Sequence, residues 1–183
     1  MTNRHEIRLC GYGGQGIILA GYIIGQAASI FDGKNTTFTQ DYGPEARGGA
    51  CRADVVISDE RILYPYINVP SVLIAMSQEA YNKYYIENRH DALVIIDEDL
   101  VKPGETSRVE LLTVPATRIA EEMGRVMVAN VVMLGFFTAV TGIVSIDAMR
   151  KSILASVPKG SEELNVKAIE RGYAYGLEKS GVV

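Results

Sequence analysis

The sequence predicts a three-layer α/β/α domain built on a mostly parallel sheet and closed by C-terminal helices. Three observations carry this prediction. Short β-branched or apolar runs alternate with helical stretches up to residue 116, two of those runs are apolar almost without interruption, and from Thr117 onward only helical signals remain. A strand apolar on both of its faces must be covered on both, so helices are expected on either side of the sheet.

Taken in order, "HEIRLC" supplies a first strand around residues 7–10, glycines turn the chain, and a helix runs on until Gly33 can cap it. "TTFTQ", residues 36–40, is β-branched and aromatic and reads as the second strand. "RADVVISD" gives a third, and "RILYPYI" is expected to pair with it as a hairpin across Asp59 and Glu60, with Pro65 marking an edge. "SVLIAMS", residues 71–77, and "ALVIIDEDL", residues 92–100, are the covered strands, separated by the helical "QEAYNKYYIENR". "RVELLTVPA" is a further strand. Helices follow over 117–123 and 126–141, then in "SIDAMRKSILASV" with Ser145 as its cap, and last in the segment entered through Pro158 and Gly160. No repeat, low-complexity segment or long linker divides the 183 residues, so one domain, 1–183, is expected.

Composition narrows the function. A formal net charge of -4 offers no general attraction to phosphate backbones, and nucleic acid is not an expected partner. Cys10 and Cys51 are the only cysteines, too few for a four-thiolate iron–sulfur cluster or a cysteine-rich zinc site, and both read as buried free thiols. No metal site is expected. "MTNRHEIRLC" lacks the apolar run of a signal peptide, and residues 126–144, though apolar, carry Asn130, threonines and glycines that suit a helix buried in protein rather than a membrane span. The expectation is a cytoplasmic protein.

Gly11, Gly13 and Gly16 satisfy G-x-G-x-x-G between a strand and a helix, the context in which that motif makes a Rossmann-like phosphate turn. Gly11 allows the tight turn, Gly13 and Gly14 let an anion approach the backbone, amides at the helix start point towards it, and Gln15 adds a side-chain amide at the mouth. Close strand–helix packing without a ligand explains the same glycines. A dinucleotide site also wants an acid near the end of the second strand; Asp41 is placed for it but leads into a crowding loop, and Asp32 comes too early. That loop, Tyr42, Gly43, Pro44, Glu45, Ala46, Arg47, Gly48 and Gly49, combines a restrained proline with permissive glycines, so Glu45 and Arg47 read either as fixed charges facing a partner or an anion, or as a local ion pair. Asp97, Glu98 and Asp99 read as solvated acids at a strand end, His5 and His90 as exposed, and Asn130 and Asn165 as satisfied core amides. No nucleophilic triad and no catalytic residue is identified.

The segments "GYGGQGIILAG", "YGPEARGGACRADVVISD", Tyr64-Pro65, "SQEAYNKY", "VPATRIAEEMG", "VANVVMLG" with "TGIVS", and "ELNVKAIERG" together resemble, in the same order, the gamma subunit of 2-oxoacid:ferredoxin (acceptor) oxidoreductases. The "YGPEARGGAC" form looks most like the 2-oxoglutarate enzymes; pyruvate, branched-chain 2-oxoacid and indolepyruvate relatives share the glycine loop. The resemblance implies an oxidoreductase subunit in a complex that decarboxylates a 2-oxoacid to an acyl-CoA and reduces ferredoxin. Thiamine diphosphate and iron–sulfur clusters are then expected in the alpha, beta and ferredoxin-like (delta) partners, and the isolated chain is expected to be inactive. Gly11, Gly13, Gly14, Gln15 and Gly16 with Arg47 or Arg52 become candidates for contact with coenzyme A, and residues Tyr42 to Gly49 for the subunit interface. A free-standing nucleotide-binding reductase, or a purely structural module, is the alternative. Self-association of the isolated chain is a further expectation, because a subunit made to bury one face must hide it.

Overall fold

The computed structural model describes residues 4–42, 49–85, 92–104 and 109–180. Six strands, β1 (Arg4–Tyr12), β2 (Asn35–Asp41), β3 (Ala50–Ser58), β4 (Val72–Ala75), β5 (Leu93–Asp97) and β6 (Glu110–Val114), form one sheet in the order β2-β3-β1-β4-β5-β6. Three of its five pairings, β1–β4, β4–β5 and β5–β6, are parallel, as predicted. β3 runs antiparallel between β1 and β2.

That placement explains the one predicted element that does not form. Both edges of β3 are taken by β1 and β2, so residues 61–67 cannot pair with it as a hairpin, and no strand forms there. The segment is held by side chains instead: Thr37 Oγ1 donates to the Pro65 carbonyl at 3.0 Å and Arg4 Nη2 to the Tyr64 carbonyl at 3.3 Å.

Alternation along the strands sorts side chains into two cores. Ile7, Leu9, Ala53, Val55, Ile74 and Ile95 pack on one face against α1 (Ile17–Gln26, continued by a π-helical turn Ala27–Phe31) and the helical tail: α3 (Ala116–Glu122), α4 (Ala129–Thr141), α5 (Ile146–Ser156) and α6 (Glu162–Ser180). Cys10, Leu73, Ala75, Val94 and Ile96 face the opposite layer, where α2, described over Gln78–Tyr85, lays Ala80, Tyr81 and Tyr84 on them. Cys10 and Cys51 are both buried free thiols, as predicted, and lie on opposite faces of the sheet.

α4 is the buried helix that the sequence anticipates, with every residue from Ala129 to Thr138 inside. Among the described residues no helix is long and apolar enough to cross a membrane. α4 and α6 meet backbone to backbone: a Cβ on Gly135 would strike the Ile169 carbonyl, and one on Gly172 the Val132 carbonyl. The N-terminus of α5 is capped as predicted, Ser145 Oγ accepting from Ala148 N at 3.2 Å.

Candidate functional site

The glycine motif forms the turn from β1 into α1. Gly11, the last residue but one of β1, is buried, and a Cβ there would collide with the Gln15 and Ile17 side chains. Gly14 (φ +105°) and Gly16 (φ +72°) hold left-handed angles that side-chain-bearing residues rarely adopt. Gly16 is the N-cap of α1 and no side chain caps that end, so backbone amides are what the helix presents there. Tyr12, Gly13 and Gly14 are exposed at the tip.

Gln15 lines the cleft onto which this turn opens and also shapes the turn. Its Oε1 accepts from Tyr12 N at 2.9 Å and its Nε2 donates to the Met76 carbonyl at 2.6 Å, tying the end of β1 to the end of β4. From the other side Asn130 Nδ2 donates to the Gly16 carbonyl at 3.2 Å while its Oδ1 accepts from Val131 N at 2.9 Å. Asn130 is therefore the satisfied core amide predicted, and also a brace of the glycine turn. A Cβ on Gly16 would run into it. Asn165 is satisfied locally, by the Ser161 carbonyl at 2.8 Å.

The turn opens onto a cleft of about 260 Å³ at the carboxyl ends of β1 and β4, walled by Tyr12, Met76, Leu100, Thr117 and Met127. In parallel α/β sheets this edge, where strand order reverses, is where ligands bind. Below it Asp97 departs from the sequence expectation. It is fully buried, accepting from Thr117 Oγ1 at 2.6 Å, Thr117 N at 3.0 Å and Asp99 N at 3.1 Å. Burial pushes its carboxyl up, and the hydrogen bonds from Thr117 and the Asp99 amide act against that. Its neighbours turn away: Glu98 and Asp99 both engage Arg118 on α3, so the three acids do not converge. Among the described residues no group of three His, Cys, Asp or Glu is placed to hold a metal ion.

The two acids weighed for a ribose are engaged elsewhere. Asp41 lies 3.8 Å from Arg52, its register partner on β3, and Asp32 accepts from Ser145 N and Oγ at 2.8 and 2.7 Å. β3 also separates β2 from the glycine turn, which removes the neighbouring second strand that a dinucleotide needs. His5 is half-buried rather than exposed, its imidazole pushed down by burial and by Lys34.

Gly43, Pro44, Glu45, Arg47, Gly48 and His90 lie outside the described residues. The flanking residues fix where the interface loop is attached: Tyr42 is exposed at the end of β2, and Gly49 is buried immediately before Ala50, the register partner of Tyr12. The loop thus springs from the same sheet edge as the glycine turn. The neighbour of β1 there is β3, which follows the loop, and not β2, which precedes it.

Comparison with known proteins agrees with this geometry. The family model of pyruvate ferredoxin/flavodoxin oxidoreductase matches residues 6–175. The 2-oxoglutarate synthase subunit KorC of Methanocaldococcus jannaschii is 51% identical over 96% of this chain and 95% of its own. A crystal structure of a keto/oxoacid ferredoxin oxidoreductase gamma subunit from Geobacter sulfurreducens, 40% identical, superimposes with a TM-score of 0.87 over 96% of this chain and 98% of that one. The fold also occupies 31% of a longer chain, that of the 2-oxoglutarate:ferredoxin oxidoreductase of Magnetococcus marinus solved with 2-oxoglutarate, coenzyme A and succinyl-CoA, at a TM-score of 0.84, 22% identity and 94% of this chain. With the family match running from the first strand into the last helix, the chain belongs to the pyruvate ferredoxin/flavodoxin oxidoreductase family.

Proposed function

We propose that this chain is the gamma subunit of a cytoplasmic 2-oxoglutarate:ferredoxin oxidoreductase, supplying a scaffold and backbone donors while alpha, beta and ferredoxin-like partners carry thiamine diphosphate and the iron–sulfur clusters. The observation that carries this reading is the near end-to-end likeness to the KorC subunit of M. jannaschii. The chain's own residues support the division of labour. Its two thiols sit on opposite faces of the sheet, so they cannot ligate one cluster together.

Coenzyme A suits the glycine turn. Its phosphates need backbone amides or Arg, and the uncapped start of α1 behind Gly13 and Gly14 presents amides; Arg52 turns to the α2 face instead, its guanidinium over the Tyr84 ring and beside Asp41 and Asp54. The apolar cleft beside the turn can take an uncharged part of such a ligand. Coenzyme A, when bound, accepts the acyl group; the chain's part is to hold and orient it. Arg47 is a second candidate for the phosphates. The coenzyme A bound in the M. marinus enzyme supports the ligand class.

Calorimetry on the assembled complex tests the contact. Gly13→Val should weaken coenzyme A binding by at least about tenfold, the order expected when one group of charge-assisted contacts is lost. Equal affinities for wild type and variant would remove the turn from the ligand site.

A further inference from the structure

Beside the glycine turn lies an apolar ridge that the fold itself does not use. Met127, in the 3-10 turn Val126–Val128 that joins α3 to α4, is 82% exposed, and Val126 is 52% exposed. Hollows lie on both sides of Met127. One is the cleft of about 260 Å³ shared with Tyr12, Gly14 and Leu100; the other, of about 290 Å³, is lined by Leu19, Val131, Pro158 and Leu164. Tyr12, Leu19 and Leu100 are themselves exposed, so the patch runs continuously from the glycine turn to the start of α6. Single exposed apolar residues are ordinary on any protein, but a joined patch is not. Charged groups border it: Arg118, paired with Glu98 and Asp99, on one side and exposed Arg125 on the other. An apolar centre inside a polar rim is the anatomy of a subunit contact.

We infer that the Met127 ridge, with a hollow on either side, is the surface on which the thiamine-binding companion of the oxidoreductase docks, placing apolar side chains in the outer hollow, closing over the inner one and setting polar groups against the Arg118–Glu98 rim. This rests on the function proposed above. Two observations favour a companion over a second copy of the chain. The same fold fills 31% of one longer relative, whereas the KorC relative is matched over 95% of its length, so what is joined covalently in the first is held by a surface in the second. The inner hollow also has the glycine turn as part of its wall, so whatever covers the ridge reaches the turn as well.

The test is retention of companions by the affinity-tagged chain when the full set of subunits is co-expressed, with the companions identified by mass and thiamine diphosphate content. Met127→Glu should reduce retention at least about tenfold, the scale of a central interface residue, with unchanged circular dichroism. Leu63→Glu, equally charged and at a residue 85% exposed in the segment bound to Arg4 at the opposite end of β1, should retain them as wild type does. Full retention by Met127→Glu overturns the proposal. So does a ridge variant that only converts a dimer of this chain to monomer, which would give the surface to a second copy. If wild type itself retains no thiamine-binding subunit, the proposed function fails, and the docking surface with it.

Discussion

Asp54→Ala is expected to destabilise the folded chain by about 3–5 kcal/mol, because it takes from a buried guanidinium the carboxylate with which it makes a bidentate pair. Arg8 is 1% exposed and Asp54 5%, and they face each other in register on β1 and β3. Their contact is bidentate: Nε to Oδ1 at 2.8 Å and Nη2 to Oδ2 at 2.9 Å. The Tyr84 ring lies 5.6 Å from the Arg8 guanidinium carbon, and the Ile67 carbonyl lies 3.5 Å from Nη2. Neither replaces a carboxylate. Arg8→Met combined with Asp54→Leu replaces both charges by apolar side chains, so it should recover most of the loss. Chemical denaturation of the two variants and wild type checks both values; a cost below about 1 kcal/mol for Asp54→Ala would show that the pair is not desolvated as described. The pair also guards the register of the antiparallel half of the sheet. Arg52 lies 3.9 Å from Asp54 and 3.8 Å from Asp41, so opposite charges alternate across β1, β3 and β2 up to the edge from which the interface loop springs.

Glycine-to-alanine exchanges should change sign with the space around them. At Gly172 a Cβ would penetrate the Val132 carbonyl of α4, a backbone atom that cannot step aside. Gly172→Ala forces α4 and α6 apart and should cost roughly 1–3 kcal/mol, even after Ala recovers about 1 kcal/mol of helix propensity. At Gly25, in α1, the nearest atoms to a Cβ are Val55 Cγ1 at 3.9 Å and Phe38 Cβ at 4.0 Å, which is ordinary contact. Gly25→Ala should therefore stabilise, by up to about 1 kcal/mol. Thermal melts of the two variants read both effects. Equal shifts in the same direction would mean that the α4–α6 contact is looser than the structure shows.

The layers and most elements were legible in the sequence because they rest on local signals. The short run leading into the glycines marked β1, unbroken apolar runs marked β4 and β5, and Ser145 marked the start of α5. The glycine turn was legible for the same reason, since left-handed angles at Gly14 and Gly16 demand glycine. What local pattern does not contain is which strands become neighbours. Pairing of β3 with both β1 and β2 cancelled the hairpin expected of residues 61–67, and it placed Arg8, which alternation alone would turn towards solvent, beneath α2 and the 59–70 segment. Asp97 misled in the same way: a strand-end acid reads as solvated until Thr117, twenty residues later, is seen closing over it. Gln15 was read as an amide at the mouth of the turn and Asn130 as a satisfied core amide, but the Met76 and Gly16 carbonyls to which they donate lie far along the chain. The Met127 ridge went unread because in sequence it merges with the apolar start of a buried helix.

The most direct test of the division of labour is ferredoxin reduction dependent on 2-oxoglutarate and coenzyme A, measured for this chain alone, for the companion subunits alone, and for the two recombined. The account predicts no turnover from this chain, impaired turnover from the companions without it, and recovery on mixing. Turnover by the lone chain, or a companion set indifferent to its addition, would contradict it.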